Sequence, residues 1–429
     1  MQRALNYGAM PPLWVPLPFL LAAPCFALAA ALMLAWQGEA ALASRWTAGT
    51  LAMTHLLTLG FVTMTIVGAL FQLLPVVAGA AVPLARPVAA LSWAGLVLGT
   101  GLLAAALGLG LGPPAFLAAS SVLGLAGTLV LVAFGVALRR SLVPAAAALV
   151  RGVRLAGAGL AITIGLGGTL ALYLAGAGAP DVLLLTDVHA SWGLVGWVVV
   201  LTATVSFQVI PMFQATAVYP RSHEARLPAA LFALLLLWSA AALGGAGHWR
   251  TVAAIGVGAL LLGYACTTLN HFRKRKRKAD VGTYYWVLAM GCLALAVPVH
   301  FLPIDGDTRA LLTGVLVIAG FAMSAINGML YKIVPFLIWY HLQNGEGIAR
   351  QHRPGMKAII DGSRALRQWR WHLVALALLA GAPLAPAILA RPAGLFQALA
   401  MFLLVRDLGG AVLLYLRLSK RSLTPASAP

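Results

Sequence analysis

Phe71-Gln72-Leu73-Leu74-Pro75, Phe207-Gln208-Val209-Ile210-Pro211 and Tyr331-Lys332-Ile333-Val334-Pro335 are three copies of one local pattern. Each is an aromatic, a long polar residue, two aliphatics and a proline. The copies lie 136 and then 124 residues apart, which is room for about four membrane crossings each. Two copies carry a histidine upstream: His55 lies 20 residues before Pro75, and His189 lies 22 before Pro211. The third copy has Thr313 to Val315 there instead. The spacing predicts an all-α, pseudo-threefold membrane bundle of three four-helix units. Its approximate repeats are 13–138, 153–269 and 283–416, within one transmembrane domain over 1–429.

Composition agrees with a polytopic membrane protein. The 429 residues are 62% hydrophobic and 9% charged, with a mean hydropathy of +0.94, far from the make-up of a soluble domain. Cys25, Cys266 and Cys292 fall in apolar stretches without close spacing, so neither a disulfide framework nor a CxxC site is indicated and small apolar core roles are expected. The first apolar stretch is too long for a signal peptide, and Pro24 defeats a lipoprotein reading of Cys25.

Hydropathy predicts twelve helices near 13–36, 47–75, 88–111, 115–138, 153–176, 183–211, 228–244, 252–269, 283–303, 308–339, 372–390 and 393–416. With both chain ends cytoplasmic, the inner segments hold 23 of the 29 lysines and arginines, including six in Arg273–Lys278 and six between 350 and 370. The outer loops hold Arg45, Arg250, Arg309 and Arg391, leaving Lys332 and Arg406 inside spans. That asymmetry is the positive-inside pattern of a bacterial-type inner membrane protein. The net charge of +19 thus reads as topology, with anionic lipid drawn to Arg273–Lys278 at the cytoplasmic face and no nucleic-acid role. Helices two, six and ten are long, run from outside to inside, and make the repeat parallel rather than inverted. Each repeated proline sits near the inner end, where it ends or kinks its helix. Residues 341–371 form the longest loop, polar and basic.

His223, His271, His341, His352 and His372 lie in or beside cytoplasmic loops, where solvated roles are the default. His55, His189, His248 and His300 fall on the outer side, His248 as a loop residue. His55 sits about 12 Å into helix two at 1.5 Å per residue. His189 is similarly placed in helix six, and His300 lies just inside the outer end of helix nine. A neutral imidazole within a span needs an inward-facing partner, and it also ligates haem iron and copper. Three such rings could surround one redox centre, or each could bond a neighbouring hydroxyl or carbonyl. Asp187 stands two residues before His189, a spacing that does not share a helical face. Lys332 either snorkels to the inner surface or joins Gln72 and Gln208 in a polar path. Arg406 and Asp407 are expected to pair with each other or with another helix.

Twelve helices in three units, with histidines near the outer ends of helices two and six, resemble the haem–copper oxidase subunit I superfamily. The stretch Trp46-Thr47 through His55-Leu56-Leu57-Thr58-Leu59-Gly60-Phe61 to Pro75, and His189-Ala190-Ser191-Trp192-Gly193 to Phe213, are similar to NnrS-type membrane haem–copper proteins linked to nitric oxide stress. The resemblance implies a cytochrome c oxidase subunit I-like fold, with His55 as axial ligand of a low-spin haem and His189 as a copper ligand. Arg391 would face haem propionates, with His300 a further cofactor-binding candidate. The sequence departs from the oxidases in having no histidine in 228–244 or 308–339, and Gly193 where a cross-linked tyrosine would stand. A conventional oxygen-reducing site therefore cannot be assembled, and terminal oxidase activity is not expected. The function so implied is electron transfer or nitric oxide-related redox chemistry at a haem, with or without copper, alone or with a redox partner subunit. The alternatives are a cofactor-free transporter or channel using Gln72, Gln208 and Lys332, and a structural subunit of a membrane complex.

Overall fold

The computed structural model describes residues 6–141, 143–178, 181–344 and 353–421; His352, Arg3 and Arg350 lie outside them. The described residues form twelve long helices and no strand. They are α1 Leu17–Gln37, α2 Ala48–Ala78, α3 Ala85–Leu109, α4 Pro113–Arg139, α5 Ala147–Leu174 and α6 Val182–Gln214, followed by α7 Arg221–Leu243, α8 Gly247–Arg273, α9 Val281–His300, α10 Gly306–Asn344, α11 Gly362–Gly381 and α12 Pro386–Arg421. All but α11 are long and apolar enough to cross a membrane. Helices satisfy their own backbone hydrogen bonds, as a hydrocarbon solvent demands.

The expected eleventh span, 372–390, is displaced. The helix starts ten residues earlier because the Asp361 side chain accepts from the Ser363 N–H, and it stops at Gly381, before a turn over 382–385 that contains Pro383. Arg364, Arg367 and Arg370 occupy its first half, which is why α11 is not apolar enough to count as a span. Arg391 consequently sits inside α12 rather than in a loop. The loop expected over 341–371, with a short helix within it, is shortened because α10 continues to Asn344 and α11 starts at Gly362, and a short helix does cover Met356–Ile359.

Three helices form the middle of the bundle. The most apolar windows of α2, α6 and α10 are 78%, 67% and 67% buried, more than any other span, although these are also the longest segments apart from α12. Around them, α3, α4 and α5 pack in succession, as do α7, α8 and α9, while α12 lies between α1 and α11. Charge does not explain the inward position of α2, α6 and α10; repeated small residues do. A Cβ on Gly60 would lie 2.4 Å from Phe26 of α1, and one on Gly320 2.7 Å from Cys292 of α9. A Cβ on Gly159 of α5 would lie 2.5 Å from the carbonyl oxygen of Gly196 of α6. Close backbone approach through small residues is how helices associate where lipid removes the hydrophobic drive.

None of the repeated prolines ends its helix: Pro75, Pro211 and Pro335 all lie inside α2, α6 and α10. Instead α2 stops at Gly79, whose φ of 60° is a left-handed stop, and the Ala78 carbonyl accepts from Ser141 Oγ at 2.6 Å. Among the cysteines only Cys292 is buried; Cys25 and Cys266 are exposed, so a core role fails for those two.

The pairing of α1 with α12 is close, and a Cβ on Gly394 would lie 2.4 Å from the backbone nitrogen of Ala35. Gly394→Ala should therefore destabilise the protein by about 1–3 kcal/mol through overpacking. Gly409→Ala on the same helix meets nothing within 4 Å and should leave thermal unfolding in detergent unchanged or slightly later. Equal melting temperatures for the two variants would refute the close-packed pairing.

Candidate functional site

Each central helix begins with the same local signal. Thr47 accepts from the Thr50 N–H, Asp181 from the Leu184 N–H and Asp305 from the Thr308 N–H, and each is the N-cap of its helix. Because the caps are equivalent, the eighth helical residue lies at the same depth in all three: His55, His189 and Thr313. We call this end of the bundle the histidine end, and the opposite one, which carries Arg86 and Arg273–Lys278, the basic end.

A wide, π-helical stretch follows in every case, over Leu56–Thr63, Trp192–Val199 and Val315–Met323. A π turn carries an extra residue and so re-aims the side chains beyond it by about 100°. Residues before and after the stretch can then both face the bundle interior. Within the three stretches, Gly60-Phe61, Gly196-Trp197 and Gly320-Phe321 lie at the same distance from Pro75, Pro211 and Pro335, the glycine 15 residues upstream. Phe61, Trp197 and Phe321 are buried. The stretches of α2 and α6 both touch that of α10, and Trp197 Nε1 donates to Thr63 Oγ1 at 3.0 Å to join α6 to α2. This second repeat is legible in the sequence as a glycine–aromatic pair at fixed spacing, and the proline motif alone did not reveal it.

His55 and His189 face each other across the α2–α6 junction, with ring centroids 6.3 Å apart and planes inclined by 26°. Each ring has one nitrogen against the backbone. His55 Nδ1 lies 2.8 Å from the Leu51 carbonyl oxygen and His189 Nδ1 lies 3.1 Å from that of Thr163. A carbonyl is only an acceptor, so both Nδ1 atoms carry the proton and both Nε2 atoms are left as bases. Among the described residues neither Nε2 has a hydrogen-bond partner. Gly167 of α5 lets its helix approach, since a Cβ there would lie 3.1 Å from His189 Cε1.

Charges gather above the rings. Arg45 Nη1 pairs with Asp187 Oδ1 at 2.7 Å, tying the α1–α2 connection to α6, and the Arg45 guanidinium lies 4.2 Å from the centre of the Trp46 ring. Asp187 thus serves Arg45 rather than His189, as their two-residue separation on a helix requires. His300 is the terminal residue of α9 and of its apolar span and is exposed, and its ring packs on Phe301 at 5.2 Å. Arg391 folds over Gly38, and its Nη1 donates to the Ala35 carbonyl at 3.4 Å, a cation at the C-terminal end of α1.

The polar residues of the repeated motif do not form one chain. The Gln72 side-chain oxygen is buried without a partner, and no hydrogen bond joins Gln72, Gln208 and Lys332 among the described residues. Lys332 Nζ instead pairs with Asp280 Oδ2 at 2.5 Å. Asp280 is the N-cap of α9, and Thr283 Oγ1 of the same cap donates to Gln214 Oε1 of α6 at 2.6 Å. Burial opposes the Asp280 charge, but the Lys332 ammonium and the Thr283 donors outweigh it and hold the carboxyl below its ordinary pKa.

His372 is not a solvated loop residue: it is wholly buried and its Nε2 lies 2.8 Å from Ser324 Oγ. His271 Nδ1 donates to the Ala217 carbonyl and the ring stacks on Tyr219 at 4.2 Å. His223 and His341 belong to α7 and α10 but lie at the basic end, far from the His55–His189 pair. Compared with known protein families and with curated proteins, the chain matches none.

The Asp280–Lys332 pair has a defined pH signature. A carboxyl whose folded pKa is depressed contributes stability above its unfolded pKa of about 3.9, lost as pH falls through the folded value. Asp280→Asn keeps the cap and removes only the charge, so it should cost at most about 1 kcal/mol at neutral pH for this half-exposed pair. The difference from the native protein should shrink below about pH 4, and Lys332→Met should add nothing to it. Additive effects in a double-mutant cycle of unfolding would show that the pair does not interact.

Proposed function

We propose that the protein is an integral membrane protein of haem–copper-oxidase-like architecture that holds haem iron between His55 and His189 near the histidine end. Its role would be electron transfer or nitric oxide-related redox chemistry, without a conventional oxygen-reducing site. The observation that carries this reading is the facing pair of imidazoles, each with Nδ1 committed to a backbone carbonyl and Nε2 free. Ligating histidines have that pattern, because the second-shell bond fixes the tautomer and makes the other nitrogen more basic.

The donor set fits haem better than a bare ion. The two rings lie with centroids 6.3 Å apart, and each would offer one Nε2 to a shared group. No group of three or more His, Cys, Asp or Glu side chains suited to a metal occurs among the described residues. A copper ion here would have two protein donors, whereas haem iron takes most of its ligands from the macrocycle and asks the protein for axial ones. Haem would supply one-electron chemistry. The chain's own residues would hold the iron through the two Nε2 atoms and orient both rings through Leu51 and Thr163. Arg45 and Asp187 would set the charge at the mouth.

The three-unit, oxidase-like arrangement is supported by the equivalent caps, π stretches, glycine–aromatic pairs and prolines of α2, α6 and α10. Seating in an inner membrane with both termini cytoplasmic is supported by the charge asymmetry. Anionic lipid at Arg273–Lys278 and a redox partner subunit complete the proposal.

Protein purified in detergent from haem-replete cells should give a stoichiometric haem signal in a pyridine haemochrome assay and in an oxidised-minus-reduced spectrum. His55→Ala and His189→Ala should each abolish it while helicity is retained, and His300→Ala should leave it intact. Stoichiometric copper without haem, lost in the same two variants, would keep the site and change the metal. A colourless, metal-free native protein would overturn the reading.

A further inference from the structure

A second polar site lies between α9, α10, α11 and α12, well away from the His55–His189 pair. Asn327 of α10 is wholly buried, and neither its amide oxygen nor its nitrogen has a partner among the described residues. His372 of α11 is also wholly buried; Nε2 meets Ser324 Oγ, and Nδ1 has no partner. Gln397 of α12 donates through Nε2 to Met323 Sδ at 3.0 Å and leaves Oε1 unpaired. Met323 and Ser324 stand four and three residues before Asn327, so the three share one face of α10. Four unpaired polar atoms therefore belong to side chains gathered around this face.

The site continues toward the basic end. Tyr331 lies one turn beyond Asn327, and its hydroxyl donates to Asp407 Oδ2 at 3.0 Å. Asp407 Oδ1 is held by Arg406 at 2.7 Å; the carboxylate is 0% exposed while the arginine is 40% exposed. Beside the column, the Tyr285 hydroxyl donates to Gln368, and its ring lies 5.6 Å from that of His372. From Ser324 to Tyr331 the axial distance is about 10 Å at 1.5 Å per residue. Toward the histidine end the column closes on buried Met323 and Gln397. Its one exposed member is Arg406.

The large majority of buried polar groups have a hydrogen-bond partner, whether protein or ordered water, and a buried water takes roughly two to four such partners. We propose that this cluster is a hydrated site, and that water and protons reach His372 within the membrane from the Arg406–Asp407 side through Tyr331 and Asn327. Protons move along it without any change of oxidation state: a hydroxyl or water gives one to the basic ring nitrogen of His372 and is re-protonated from the Asp407 side. The inference is independent of whether haem or copper binds at the other site.

The test is imidazole C2 hydrogen–deuterium exchange, read residue by residue by mass spectrometry on the full-length protein in nanodiscs. His372 should exchange in D2O within about tenfold of the exposed His248, despite its complete burial. Asn327→Leu, which removes both unpaired amide atoms, should slow His372 by about tenfold or more and leave His248 unchanged. A native protein in which His248 exchanges and His372 does not over days would overturn the proposal, whatever the variant does. Unaltered His372 exchange in a folded Asn327→Leu protein would overturn the route.

Discussion

The rest of the structure depends on the mutual contact of three wide helical turns in the middle of the bundle. There α2, α6 and α10 bring Phe61, Trp197 and Phe321 into the core, and the single hydrogen bond from Trp197 to Thr63 fixes α6 against α2. In a hydrocarbon solvent no gain comes from hiding apolar surface, so contact must be won by shape. The glycines supply that shape: Gly60, Gly196 and Gly320 leave room that Phe26, Trp192 and Cys292 occupy, and Gly159 of α5 makes room for the backbone of Gly196. The π geometry then lets one helix show a histidine to the centre on one level and a polar or aromatic residue on another.

Charge is handled with the same economy. The chain has ten acids, and three of them hold cations that would otherwise stand alone near or inside the spans. Asp187 takes Arg45, Asp280 takes Lys332, and Asp407 takes Arg406. Each pair also ties elements together: the α1–α2 connection to α6, α10 to the start of α9, and, through Tyr331, α10 to α12. Only the Asp407 carboxylate is fully removed from solvent, and Tyr331 donates to it beside Arg406. That follows from the high cost of a buried charge with incomplete hydrogen bonding.

Hydropathy reached ten of the helices closely, because runs of apolar residues between loop signals are all that a hydrocarbon core requires. It misplaced the eleventh because Arg364, Arg367 and Arg370 disguise the first half of a real helix, and because Leu384 to Leu389 look like its continuation. The depth of His55 was legible from Thr47, and that of His189 from Asp181, since a cap residue sets where counting starts. That the two rings meet was not legible: it depends on how α2 and α6 rotate, which the π stretches decide and no hydropathy window reports. The burial of His372 was hidden by the same error that misplaced α11. The role of Arg391 depended on a left-handed Gly38 that offers no side chain of its own, with a φ of 64°.

The pairing of α1 with α12 has a consequence for how the molecule comes into being. Arg391 of α12 reaches the Ala35 carbonyl of α1 across 356 residues of sequence, and the segment before α1 is held by the far end of α10, with the Tyr340 hydroxyl donating to the Tyr7 carbonyl at 2.8 Å. Contacts so distant along the chain form late and slowly. The α1–α12 seam is thus expected to close after the neighbouring helices have paired.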